Sequence, residues 1–315
     1  MQYLAGKRYL WFAISLLIII PGLVSLLLYG LNLGIDFTGG TLWEIKFDRP
    51  VQTEEVKRVL ADQGYQSTLV QTVGASTDNT VSIRMPEIQE GSPEKDALSA
   101  AFQERIAPFT TQEISTIGAS VGNEIRNRAI LAVAVASVGV LAYIAWAFRN
   151  TQNPLLYGVC AIVAMLHDVL VVVGIFSILG KVANVEIDAL FVTALLTVIG
   201  FSVHDTIVVF DRIRENLARR VSSSFEEVVN YSLAQTIVRS INTSLTVTFT
   251  LLALFLFGGS TTREFVLALL IGVVSGTYSS IFNASQLLVA WENGEIQRLF
   301  GRARGHRRPA VAPSP

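Results

Sequence analysis

Cysteine is almost absent: Cys160 is the single one in 315 residues and lies in an apolar run. No internal disulfide and no multi-cysteine metal site is available to this chain. Histidine is scarce, with three residues, and charged residues make up only 16% of the sequence and nearly cancel, to a formal net charge of −1. Nothing in that balance points to nucleic acid, and no nucleic-acid partner is expected. A GxxxxGK[ST] loop is missing, as is a GxGxxG following a strand. Nucleotide held by this chain is therefore not the expected source of work.

What the chain has is length in apolar runs. Half of it is hydrophobic, and stretches of roughly 18 or more apolar residues are long enough to cross the hydrocarbon core as helices. Six occur, at about 9–29, 129–148, 155–179, 187–210, 240–258 and 264–290. The first follows Lys7 and Arg8 but is too long for a cleaved leader, is interrupted by Pro21-Gly22 and lacks an A-x-A-like site, so it reads as a retained span. Six spans put both termini on one side. That side collects Lys7, Arg8, Arg149, Arg212, Arg214, Arg219, Arg220 and the arginines of the tail, against Lys181 and Arg263 in the short opposite loops. The termini are expected to be cytoplasmic. Arg126 and Arg128 run against the trend, but they end a long loop, where the rule is weak.

The sequence thus divides into a first span with its leading residues (1–33), a polar segment (34–125), a bundle of five spans (126–290) and a basic, Pro-rich tail (291–315) expected to lie near anionic headgroups. In the polar segment TLWEIKFD (41–48) alternates like a half-buried strand. TEEVKRVLADQG (53–64) reads as a helix capped by Thr53, with Val56, Val59 and Leu60 on one face. QSTLVQTV (66–73) and NTVSIRM (79–85) are strand-like across a Gly/Ser/Thr/Asp turn, SPEKDALSAAFQERI (92–106) is a second helix, and TQEISTIG (111–118) a last strand. The order β-α-β-β-α-β is that of a ferredoxin-like α+β domain, which names no function.

The informative residues are polar and lie inside the spans. Two of the three histidines are each followed by aspartate: His167-Asp168 deep in the third span and His204-Asp205 near the terminus-bearing end of the fourth. The fifth span opens RSINTSLTVTFT, placing Arg239, Thr243, Thr246 and Thr250 on one helical stripe. Arg239 and Asp205 then sit at similar depth on consecutive helices. A lone carboxylate within the membrane costs at least a few kcal/mol, and a nearby guanidinium would offset that. Three uses compete for these groups: a static ion pair among hydroxyls that hold helices together, a proton relay through Asp205, and a metal site. The last is disfavoured, because the two His-Asp pairs lie at different depths and neighbours on a helix diverge by about 100°. No nucleophile or metal site of a convincing kind is present, so an enzyme is not expected. Glu186 and Asp188, at the outer mouth of the fourth span, read as solvated. Gly272, Gly276 and Asn283 share a face of the sixth, a small-residue packing pattern. SSSFEE (222–227) opens an amphipathic helix with Ser224 and Glu227 in capping-box order.

GIDFTGG (34–40), LHDV (166–169), ALLTVIGFSVHDTIVVFDRIREN (194–216) and RSINTSLT (239–246) together resemble the SecD/SecF family of the resistance-nodulation-division superfamily, over about residues 1–300. The resemblance implies a multi-pass protein of the bacterial cytoplasmic (inner) membrane whose 34–125 domain is periplasmic. It implies a SecD partner, the SecYEG translocon with YajC or YidC as further neighbours, and a translocating unfolded polypeptide. The implied energy source is the proton gradient, with no cofactor. Asp205 and Arg239 match the family's proton-transport residues, with His204, Asp168, His167 and Thr243 as possible accessory groups and Gly34, Asp36, Gly39 and Gly40 as the signature. His204 stands where relatives often carry Asn. A small-molecule or lipid exporter of the same superfamily and a passive chaperone or scaffold of the translocon are the competing functions.

Overall fold

The computed structural model describes residues 4–295 and 298, apart from 67, 74–78, 150 and 152. The expected turn between the second and third strands and nearly all of the basic tail lie outside the described residues. Among the described residues, six helical spans are long and apolar enough to cross a membrane, at Ala5–Tyr29, Ala119–Ala147, Pro154–Ala183, Ala189–Ala218, Phe225–Phe257 and Arg263–Glu292. We name the helices α1 (Arg8–Tyr29), α5 (Ala119–Ala147), α6 (Pro154–Ala183), α7 (Ala189–Ala218), α8 (Phe225–Phe257), and α9 with α10 (Arg263–Ser279, Ser285–Glu292), the last two joined by a π-helical segment, Ser280–Ala284.

The spans fall into two groups. The windows of α6, α7 and α9–α10 are 56, 50 and 56% buried, against 17% for the first span, 6% for α5 and 11% for α8. A three-helix centre is therefore flanked by three helices that turn most of their apolar surface outward. In lipid that exposure costs nothing, since hydrocarbon tails are as apolar as Leu. Small residues bring the helices together: a Cβ built on Gly22 of α1 would lie 2.8 Å from the Cα of Gly174 on α6. The expected packing of Gly272 and Gly276 holds, with Gly272 against Val198 and Gly276 against Ser202 of α7. Asn283 does not share that contact, because in the π segment its amide faces α1, where Ser15 Oγ donates to Asn283 Oδ1 at 2.8 Å.

The helices also run past the expected span ends. DRIREN continues α7 as helix, laced by Arg214–Asp211 at 2.5 Å and Arg212–Glu215 at 2.7 Å. The amphipathic helix and the fifth span are one 33-residue helix, α8. Its expected capping box is not formed: Ser224 makes no side-chain cap bond, and Ser222 instead donates to Glu227 Oε2. At this end Arg8 of α1 bridges Glu226 of α8 and Glu295, tying the two ends of the described chain together.

The polar segment folds as β1 (Gly40–Phe47), α3 (Thr53–Asp62), β2 (Leu69–Val73), β3 (Thr80–Met85), α4 (Pro93–Arg105) and β4 (Phe109–Ile117), preceded by a short α2 (Ile35–Thr38). The sheet is antiparallel in the order β2-β3-β1-β4, the element order expected for a ferredoxin-like domain. One face carries Trp43, Ile45, Phe47, Val81 and Ile83 onto Val56, Val59 and Leu60 of α3 and Leu98 and Phe102 of α4. Ser92 caps α4 as its Ser-Pro-Glu start predicts, accepting from the Lys95 N–H at 3.3 Å. Thr53 does not cap α3: it is already the first helical residue, and Gln52 precedes it without a side-chain bond.

Candidate functional site

Asp168 lies at the centre of the bundle, fully buried. Ser202 of α7 and Ser279 of α9 each donate a hydroxyl to its Oδ2 at 2.6 Å, and Ser275 of α9 donates to Oδ1 at 2.7 Å. His167 Nδ1 stands 2.9 Å from the same Oδ1. Three helices thus solvate one carboxylate with side chains in place of water, which is what a polar group in hydrocarbon requires. Beside this cage Thr206 and Ser280 share a hydroxyl bond at 2.9 Å, and Ser280 Oγ donates to the Ser202 carbonyl at 3.3 Å.

Asp205 is built differently. It is 3% exposed, yet its Oδ2 has no hydrogen-bond partner among the described residues, and the nearest cationic candidate, His204 Nδ1, is 4.0 Å from Oδ1. The His204 side chain is itself 69% exposed and points off the bundle. The inference that Arg239 compensates Asp205 from the next helix does not hold within this chain. Arg239 lies on the exposed face of α8, with no ion pair among the described residues. The stripe is real but faces outward: Thr243, Thr246 and Thr250 are exposed and return their hydroxyls to the carbonyls of Arg239, Asn242 and Thr246 at 2.9–3.0 Å. The stripe was readable from the sequence; its azimuth was not.

The signature residues form a joint between the α/β domain and α7. Gly34 N–H donates to the Ile187 carbonyl at 2.8 Å, and Ile187 N–H to the Asn32 carbonyl at 2.9 Å. Asp36 Oδ2 accepts from the Ala189 N–H at 2.7 Å and Asp188 from the Phe191 N–H at 2.8 Å, so two aspartates cap the amino end of α7. Gly39 and Gly40 adopt φ of +74° and +121° where the chain turns into β1. A Cβ on Gly39 would meet Ala119 Cα at 2.7 Å, and one on Gly40 the Met85 carbonyl at 2.7 Å, so glycine is needed for space as well as for conformation. Glu186 is not solvated as its position suggested: Arg84 of β3 pairs with it at 3.1 Å and also reaches Thr38. Burial pushes the Glu186 carboxyl above the ordinary range while Arg84 draws it back, and burial together with Asp36 raises Asp188. Glu44 is raised by burial and by the acids Glu113 and Glu264.

Of the expected residues, the structure therefore brings together His167 with Asp168, and Gly34, Asp36, Gly39 and Gly40 with the start of α7. Asp205 and Arg239 stand apart. Ser202, Ser275 and Ser279 were missed. Their one signal was the i, i+4 pair on α9, which in an apolar run reads as packing.

A bundle of three buried and three outward helices, with buried carboxyl groups at its centre and an α/β domain seated on one central helix, defines an integral membrane protein. Residues 97–294 match the family model described as "Protein export membrane protein SecD/SecF, C-terminal", and residues 24–51 the "SecD/SecF GG Motif". The "Protein translocase subunit SecF" of Thermobaculum terrenum is 61% identical over 302 residues, 94% of this chain and 95% of that one. The "Protein translocase subunit SecDF" of Bacillus subtilis is 34% identical over 299 residues, covering 93% of this chain and 38% of that one. The crystal structure of SecDF from Thermus thermophilus, described as a translocon-associated membrane protein, matches 92% of this chain with a TM-score of 0.81 at 34% identity. The chain spans 38% of that structure's length. It belongs to the SecD/SecF protein-export family.

Proposed function

We propose that the chain is an accessory subunit of the Sec protein-export machinery that acts with a SecD partner and uses the proton gradient to promote late translocation of secreted polypeptides. The observation that carries this reading is Asp205, a carboxylate buried in a membrane bundle with one oxygen left without a donor. Such a group is unsuited to holding helices together and suited to taking and releasing a proton. Arg239 serves as its charge partner in the assembled machine. An arginine and three threonines turned outward from α8 are an unfavourable face toward lipid. A second repeat covering that face removes the cost, and transporters commonly set their sites at such repeat interfaces. That relatives named SecDF are far longer than this chain supports a partner of this kind.

In this reading the termini are cytoplasmic, the α/β domain is periplasmic and engages the emerging polypeptide, and the SecYEG translocon is the wider partner, with YajC or YidC beside it. Each proton crossing 100 mV releases about 2.3 kcal/mol, enough for one or two protons to bias a domain motion. Reconstituted with SecD and the translocon in proteoliposomes, Asp205→Asn is expected to abolish gradient-dependent translocation while leaving assembly with SecD intact. Normal gradient-dependent translocation by that variant would sink the relay.

A further inference from the structure

We infer that Asp168 is a positioning residue for Asp205: its carboxyl clamps α7 to α9 one turn from Asp205 and fixes the direction in which that side chain points. The inference rests on the reading of Asp205 as the proton carrier, and it places Asp168 beside the carrier and outside the transfer itself.

The two carboxyls differ in what is left open. Asp168 has two partners on each oxygen: the Ser202 and Ser279 hydroxyls on Oδ2 at 2.6 Å, and on Oδ1 the Ser275 hydroxyl at 2.7 Å and His167 Nδ1 at 2.9 Å. Asp168, Ser279 and Ser280 are fully buried, and Ser202 and Thr206 nearly so. A polar group satisfied in this way is a fixed point of the packing. Asp205 Oδ2 has no partner among the described residues, and the neighbouring His204 Nδ1 stands 4.0 Å from Oδ1. No bond of this kind holds the Asp205 side chain, so its direction comes from the turn of α7 that carries it.

That turn is tied on both sides of Asp205. Three residues earlier, Ser202 bonds Asp168, and the Ser202 carbonyl accepts from Ser280 Oγ at 3.3 Å. One residue later, Thr206 shares a hydroxyl bond with Ser280 at 2.9 Å. The helices are also close here: a Cβ built on Gly276 of α9 would lie 3.3 Å from the Cα and Cβ of Ser202 and 3.7 Å from Asp168 Oδ2. Glycine at that point lets Ser275 and Ser279, which flank it, reach the carboxyl. At about 100° per residue, Ser202 and Thr206 fall about 40° apart on one face of α7, with Asp205 about 60° to the side of Ser202. A carboxyl about 5 Å from the helix axis travels about 1.7 Å when the helix turns by about 20°, more than half the length of a hydrogen bond. The bonds from Ser202 and Thr206 oppose that turn, and Asp168 anchors the first of them to α6 and α9.

The test is the modification of Asp205 by dicyclohexylcarbodiimide, an apolar reagent for carboxyl groups, in the full chain in lipid vesicles at one fixed pH, located by mass spectrometry. Ser202→Ala is expected to raise the labelling rate of Asp205 about threefold, the opening that loss of one interhelical bond allows. Asp168→Ala, which frees three serines, should raise it further. Asp168→Asn should stay within about twofold of the unaltered chain, because its carbonyl accepts from serine hydroxyls and its amide donates to serine oxygens. Gly22→Ala, which wedges α1 away from Gly174 of α6, is the control for general loosening and should leave the rate unchanged. Should Asp168→Ala not fold, Ser202→Ala decides alone. Labelling that Ser202→Ala does not move, or that Gly22→Ala raises equally, overturns the inference. So does loss of gradient-dependent translocation in Asp168→Asn with Asp205 labelling unchanged, since Asp168 would then carry the proton itself. Normal translocation by Asp205→Asn, with the labelling pattern as expected, would instead remove the carrier reading and leave the clamp.

Discussion

Gly22→Ala perturbs one atom at the crossing of α1 and α6. The new Cβ would sit 2.8 Å from Gly174 Cα and 3.1 Å from its carbonyl carbon, both backbone atoms that cannot rotate away. Ordinary carbon contacts begin near ~3.5 Å, so the helices must part by about 0.7 Å, the difference between ~3.5 and 2.8 Å. One turn along, Ser25 and Ser177 share a hydroxyl bond at 2.9 Å, and the same separation carries it to the edge of bonding. Overpacking costs about 1–3 kcal/mol and a lost interhelical bond about 0.6, giving roughly 2–4 kcal/mol in all. Unfolding of the full chain in bicelles by SDS, followed by circular dichroism, reads this directly. Gly200→Ala is the control, because a Cβ there meets nothing within 4 Å. It should be neutral or slightly stabilising. Equal stability of the two variants would refute the claim that backbone proximity fixes α1 on the bundle.

The joint between the α/β domain and α7 should respond to pH with a definite sign. Glu186 is raised in the folded joint, so the protonated form favours closure. Between the ordinary carboxylate value and the raised one, protection of the Gly34 and Ala189 amides from hydrogen exchange should grow as pH falls and be lost as pH rises, and Glu186→Gln should flatten the response. The opposite end has the opposite sign: Arg8 holds Glu295 below the ordinary range, so that contact persists above it and is lost as pH falls through the depressed value, which exchange at the start of α8 would report. Gly40→Ala, at φ +121° and with the Met85 carbonyl in the way, should destabilise the domain by at least about 1 kcal/mol, read by thermal unfolding of the full chain; an unchanged midpoint would contradict the geometry.

Much of this was legible before any coordinates. Hydrocarbon thickness fixes how long an apolar run must be, so six spans could be counted from composition alone. Period-2 and period-3.6 patterns fixed the elements of the α/β domain, because one face of each must enter a core that holds Trp43 and Phe102. The family motifs named the signature glycines, and the positive φ of Gly39 and Gly40, where the chain turns into β1, is the physical content of that part of the signature.

What one sequence could not carry is rotation about a helix axis. Arg239 and Asp205 share a depth in the sequence, yet one faces out from α8 and the other is buried on α7. Ser202, Ser275 and Ser279 look like packing residues until α7 and α9 close on Asp168, because a cage assembled from three helices exists in no single segment. The sequence by itself determined the spans, the domain between them and the list of polar groups within the membrane, since each follows from local pattern and length. Tertiary structure alone decided which of those groups meet, because in a bundle the partner of a buried charge is chosen by packing across helices and not by neighbours along the chain.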